Sequence, residues 1–160
     1  MMLLLSIAGG VLILDQLTKL LIIQYFPLYT YHQVIPGFFN LVHARNTGAA
    51  FSLLAGANTF WRQAFFVGLT IIVLVILVTA YFKLRRDDYW TKAGYALISG
   101  GALGNLADRL RLGEVVDFLD FYIGSYHWPA FNVADSAISI GVTLLLLDLW
   151  REERARKAKG

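Results

Sequence analysis

The chain has 160 residues, of which 58% are hydrophobic and 16% charged, with a formal net charge of +3. A soluble domain of this length has too little interior to hide so much apolar surface, so the class is integral membrane protein, with room for one compact bundle. The lack of cysteine excludes a disulfide framework and a thiolate metal site. The three histidines, His32, His43 and His127, show no HExxH-type spacing, so neither a zinc hydrolase nor any bound metal is expected. The small positive charge gathers at the ends of apolar runs, which suits membrane topology and not nucleic-acid binding.

The first apolar run, residues 2–25, resembles a signal-peptide core in its start. No basic residue precedes it, however, no small-residue cleavage site follows it, and its apolar character continues past Lys19, so a retained span is expected. Asp15 and Lys19 lie four apart on one face of that span. They read either as an ion pair that lowers the cost of two charges in lipid or as groups facing a site.

Residues 26–59 form a long connection filled with aromatics (Phe26, Tyr29, Tyr31, Phe38, Phe39, Phe51) and punctuated by Pro36-Gly37. An ordered element on the membrane surface is expected there, with short strands around 38–44. Within it, Asn46-Thr47-Gly48 followed by Ala49-Ala50 marks a turn; spacing alone favours an ordinary loop turn.

The second span is expected at 60–82 and the third at 93–110, joined by a short basic connection, 83–92. The third is rich in small residues (Ser99, Gly100, Gly101, Ala102, Gly104), as close helix packing requires. Packing leaves Asn105 and Arg109 unexplained; they lie four apart on one face with Asp108 beside them. After the connection 111–132 the fourth span is expected at 133–150, followed by a basic tail, 151–160.

Four Lys/Arg lie in 83–92 and five follow Trp150, whereas the other two connections hold only Arg45 and Arg111 well clear of the spans. The positive-inside rule therefore puts both termini and the middle connection in the cytoplasm. Trp61 and Trp128 then fall at the outer boundary and Trp90 and Trp150 at the inner one. Asp15, Lys19, Asn46, Asn105, Arg109, Asp117 and Asp135 converge towards the outer face.

Asp117 and Asp135 sit where the chain leaves and re-enters lipid. Two carboxylates a few ångströms apart do not both ionise comfortably, so one keeps a proton near neutral pH. Such a pair activates a water and polarises an amide carbonyl without metal or covalent intermediate. Asp135 begins a helix, whose positive end favours the ionised form, and Asn132 stands three residues earlier as a candidate N-cap. Either aspartate alone also fits a helix cap or an ion pair with Arg109 or Arg111, and Asp120 is assigned to that structural class. Three functions compete: an aspartyl peptidase at the outer face, a carrier coupled to protons or ions, and an assembly subunit. A carrier would place its acids near mid-bilayer between related halves, and no internal repeat is visible. An assembly subunit leaves the outer polar cluster unexplained.

Five blocks in order, Asp15-Gln-Leu-Thr-Lys19, Asn46-Thr-Gly-Ala-Ala-Phe51, Gly100-Gly-Ala-Leu-Gly-Asn105-Leu-Ala-Asp108-Arg109, Val115-Val-Asp117-Phe118 and Phe131-Asn-Val-Ala-Asp135, run over residues 15–139. In these blocks the chain resembles the lipoprotein signal peptidase family (signal peptidase II, the bacterial prolipoprotein-processing enzyme). The resemblance implies an all-α membrane protein of four transmembrane helices, with a small extracytoplasmic β-cradle in 26–59 and a lid-like second outer connection in 111–132. It implies that Asp117 and Asp135 are the catalytic dyad. Asp15, Lys19, Asn46, Gly48, Asn105, Arg109 and Asn132 would support the dyad or contact substrate and inhibitor. The implied substrate is a prolipoprotein whose cysteine already carries diacylglyceryl, met within the lipids of the bacterial inner membrane and cut just before that cysteine. No cofactor is implied, and globomycin-type cyclic peptides should inhibit. One departure is the start of the chain almost directly in the first span.

Overall fold

The computed structural model describes residues 1–48, 59–84 and 88–158. Ala49, Ala50 and Phe51, together with Arg85, Arg86 and Lys159, therefore lie outside the described residues. Four helices, α1 (Met2–Tyr25), α2 (Thr59–Lys83), α3 (Tyr89–Leu112) and α4 (Val133–Lys157), carry strands β1 (Tyr31–Ile35), β2 (Phe39–Asn46), β3 (Val115–Ile123) and β4 (Tyr126–His127).

Helices α1, α2 and α4 are long and apolar enough to cross a membrane. They leave rows of large apolar side chains exposed, such as Leu14, Leu17 and Leu21 on α1 and Ile72, Val75 and Ile76 on α2. Lipid is the solvent such faces need. Helix α3 is equally long, at 24 residues, but richer in small and polar side chains. It packs against all three other helices, so its faces meet protein and do not need to be lipophilic. Its small residues set the spacing. A Cβ on Gly100 would lie 2.8 Å from the Ala8 backbone, and one on Gly101 would run into the Ala134 carbonyl oxygen. Small residues here let backbones touch and gain dispersion contacts that larger side chains would forbid.

The ends of α3 follow local rules. The Asp88 carboxylate accepts from the Thr91 amide at 3.1 Å as N-cap, and Gly113 ends the helix in the left-handed region at φ 76°. Helix α4 starts on Asn132, whose side-chain oxygen accepts from the Asp135 amide at 2.9 Å. It runs seven residues beyond the expected 150, because its basic end continues the helical turn outside the apolar stretch.

The strands form one antiparallel sheet in the order β1-β2-β3-β4. This corrects the all-α label: half of the sheet comes from outside the expected cradle region, from 111–132. That connection supplies β3, an inner strand, and β4. The segment Val-Val-Asp-Phe-Leu-Asp-Phe-Tyr-Ile is β-branched and aromatic, which suits a pleated, half-buried surface. Strand β2 covers the expected 38–44 region, and an irregularity between Leu41 and Ala44 shifts its register on β3. Where the sheet meets the bundle, Ile22, Val116 and Phe118 are buried with Phe26, Leu41 and Val133 against them, which fixes β3 on the end of α1.

Candidate active site

The site forms where the later turns of α1, the last turns of α3 and the first turn of α4 meet β2 and β3. In the β2–β3 pairing Ala44 lies opposite Asp117 and Asn46 opposite Val115, so Asn46 and Asp117 are diagonal neighbours on one sheet face. The Asn46 amide donates to Asp117 Oδ2 at 3.1 Å, while its own oxygen accepts from the Gly48 amide at 3.0 Å. The Asn-x-Gly turn is thus a real turn that also aims a donor at Asp117.

Asn132 joins the two halves. Its Nδ2 donates to Asp117 Oδ1 at 2.8 Å and its Oδ1 accepts from the Asp135 amide. Asn105 Nδ2 donates to Asp135 Oδ1 at 2.7 Å, and Asn105 Oδ1 accepts from Lys19 Nζ at 3.1 Å. The Lys19 ammonium fixes which way the Asn105 amide points, since only the oxygen can face it.

Lys19 is fully buried between Asp15 Oδ2 and Asp108 Oδ2, each at 2.8 Å. Asp15 Oδ1 accepts from the Ala134 amide at 2.9 Å, and Asp108 Oδ2 accepts from the Val116 amide at 3.1 Å. The Asp15–Lys19 spacing is thus an i,i+4 ion pair, and it ties α1 to α3, α4 and β3. Buried charges persist only when paired and hydrogen-bonded, and these are.

Asp117 is 3% exposed. Burial and, next, the negative charge of Asp135 push its carboxyl up to about 7, against the opposing amides of Asn46 and Asn132 and the more distant Lys19 ammonium. Asp135 lines a cavity of about 650 Å³ with Asn46, Gly48, Asn105 and Arg109 on its polar side. Its other walls are Trp128, Pro129, Ala130, Phe131 and Ile140, with Ser136 and Ser139 on α4. Arg109 also lies over the Phe66 ring, 5.2 Å from its centroid.

All nine candidate residues named from the sequence fall in this cluster or its cavity. Asp120 does not: three positions along β3 from Asp117, it sits at odd spacing and faces the other side of the sheet. There it accepts from Asn40 at 2.8 Å and meets His127 Nδ1 at 2.9 Å. Gln16 is a further member of the cluster that the sequence does not single out: its amide donates to Asp108 Oδ1 at 2.9 Å and to the Gly104 carbonyl at 3.2 Å. Asp108 holds β3 through the Val116 amide, and 128–131 walls the cavity. An extra polar group beside Asp15 in an apolar run was the available signal for Gln16. Among the described residues no group of His, Cys, Asp or Glu is arranged to hold a metal.

The chain is 53% identical over 153 residues to the lipoprotein signal peptidase of Geobacter sulfurreducens, covering 96% of this chain and 94% of the relative. It is 48% identical to that of Syntrophus aciditrophicus, covering 93% and 92%. A solved structure described as a bacterial membrane enzyme, obtained by the in meso method at 2.3 Å resolution, superposes with a TM-score of 0.81 at 39% identity, over 94% of this chain and 88% of that one. The family model described as Signal peptidase (SPase) II matches residues 7–151. With that match over nearly the whole length, and with Asp117 on β3 and Asp135 at the start of α4 both bonded by one asparagine, the chain belongs to the signal peptidase II family of aspartic peptidases.

Proposed function

We propose that this multi-pass membrane enzyme removes the signal peptide from prolipoproteins at the outer face of the bacterial inner membrane. It cuts before a diacylglyceryl-modified cysteine with a water activated between Asp117 and Asp135. The observation that carries the reading is the single Asn132 side chain, which bonds the Asp117 carboxylate and the Asp135 backbone at once. Asn105, which accepts from Asn132 at 3.3 Å, holds the Asp135 carboxylate in turn, so the two carboxylates are fixed relative to each other, as a shared water requires.

In this reading Asp117, held up to about 7, enters the cycle protonated, and Asp135 is the base. Asp135 takes a proton from the water, the water oxygen bonds to the scissile carbonyl carbon, and Asp117 passes its proton to the carbonyl oxygen. Collapse breaks the C–N bond. The leaving amine of the cysteine takes the proton from Asp135, and the new carboxyl returns one to Asp117.

Helix α3 serves as a fourth span, shielded by the other three. Both termini are cytoplasmic, which brings the sheet to the outer surface, where water is plentiful and a lipidated substrate remains anchored. Trp128 and Phe131 offer apolar surface to the substrate or to a globomycin-type cyclic peptide, with Asn46, Gly48 and Arg109 as polar contacts. The test is incubation of the purified protein in lipid with a diacylglyceryl-modified precursor. Release of the signal peptide, blocked by globomycin, is the expected result. No release, or release indifferent to globomycin, overturns the reading.

A further inference from the structure

The segment 128–131 walls the cavity, and among the described residues its backbone bonds to the sheet lie at its two ends. At one end the Phe131 amide donates to the Leu119 carbonyl at 3.1 Å, and the Phe131 carbonyl accepts from Leu119 and Phe118. At the other, the Trp128 amide donates to the Phe121 carbonyl at 2.8 Å, and β4 contributes just two residues, Tyr126 and His127. A strand so short has little intrinsic stability.

His127 reinforces it from the side. Its Nδ1 lies 2.9 Å from Asp120 Oδ1 and 3.1 Å from Oδ2, and its ring stacks on Tyr122 at 4.9 Å with 8° between planes. Both partners are themselves anchored. Asp120 accepts from Asn40 on β2, and the Tyr122 hydroxyl accepts from Gln33 at 2.7 Å and from the Gly37 amide at 3.0 Å. Three strands therefore converge on one histidine at the root of the wall. Trp128, the next residue, lines both the catalytic cavity and a shallow aromatic groove on the sheet with His127.

We propose that His127 is a positioning residue for the substrate: clamped by Asp120 and Tyr122, it fixes the 128–131 wall and so sets how tightly prolipoprotein is held, without acting on the scissile bond. The inference rests on the peptidase reading above. It adds a function for Asp120 on the face of β3 that points away from the dyad.

Steady-state cleavage of the diacylglyceryl-modified precursor by the full chain in lipid vesicles tests it. His127→Ala should raise KM by about tenfold, the loss of one hydrogen bond, and leave kcat within about twofold. His127→Asn, whose amide nitrogen takes the place of Nδ1, should restore most of the lost KM. A double variant with Asp120→Ala should raise KM no further than His127→Ala, because the two act as one unit. A fall in kcat at unchanged KM, or an unchanged KM in both His127→Ala and the milder His127→Gln, overturns the proposal. Should His127→Ala fail to fold, His127→Gln, whose amide nitrogen lies one carbon beyond the Nδ1 position, carries the test, and an unchanged KM there overturns the proposal. Asp135→Asn, run in parallel, keeps the two ideas apart: full turnover by that variant sinks the aspartyl reading whatever His127 does.

Discussion

Asp117 accepts two amide hydrogen bonds whose donors are each pinned at their other end, Asn46 by the Gly48 amide and Asn132 by the Asp135 amide. A carboxyl group, charged or neutral, accepts both; a carboxamide at 117 would turn its NH₂ towards one of those donors. Asp117→Asn and Asp135→Asn should each bring cleavage of the precursor below detection, since general acid–base catalysis alone contributes about 10²–10⁴-fold. Membrane insertion of both, checked by fractionation, should persist. The raised Asp117 carboxyl makes a second prediction. If its protonated form polarises the carbonyl, kcat/KM should fall as pH rises through about 7. The same group sets a stability slope. Its folded value lies above the ordinary 3.8, so the folded state binds the extra proton between about 4 and 7, and stability is lost as pH rises across that window. Thermal midpoints measured from pH 4 to 8 should decline, and Asp117→Asn should flatten the decline.

Helix α3 illustrates what an element's sequence does and does not disclose. Its glycine patch reads as close packing, and the structure puts Gly100 on α1 and Gly101 on α4. Gly101→Val should cost about 1–3 kcal/mol through overpacking against Ala134 and Ile138, read as a lower thermal midpoint. Gly9→Ala is the control: a Cβ there meets nothing within 4 Å, and alanine is the better helix former, so the midpoint should hold or rise. Strand β3 shows the opposite case. Its β-branched and aromatic residues are plain in the sequence, yet its pairing depends on β2, which lies across an intervening pair of helices in the chain. Its acids, three apart, mask the strand's period of two, and no neighbouring strand in the chain reveals it. The asymmetry between Asp117 and Asp120 follows from that period alone once the strand is known.

For the whole molecule, the excess of basic residues in 83–92 and after Trp150 predicts a topology that introduced thiols can read. The chain has no cysteine, so single introduced thiols label against no background. Ser125→Cys, at the exposed β3–β4 turn, should react with a membrane-impermeant reagent in spheroplasts, while Ala158→Cys should react only after lysis. The reverse pattern would place the dyad in the cytoplasm.

By itself the sequence determined the membrane class, the apolar runs, the helix cap at Asn132, and the blocks that carry the family. Those depend on transfer of side chains to lipid and on hydrogen bonds within a few residues, both readable from neighbours in the chain. Only the tertiary structure decided that Lys19, Asn105 and Asn132 form one relay to both aspartates, that Asp108 holds β3, and that Asp120 turns away to His127. Such meetings join residues far apart in sequence, and the cost of burying a charge exists only once packing has removed the water around it.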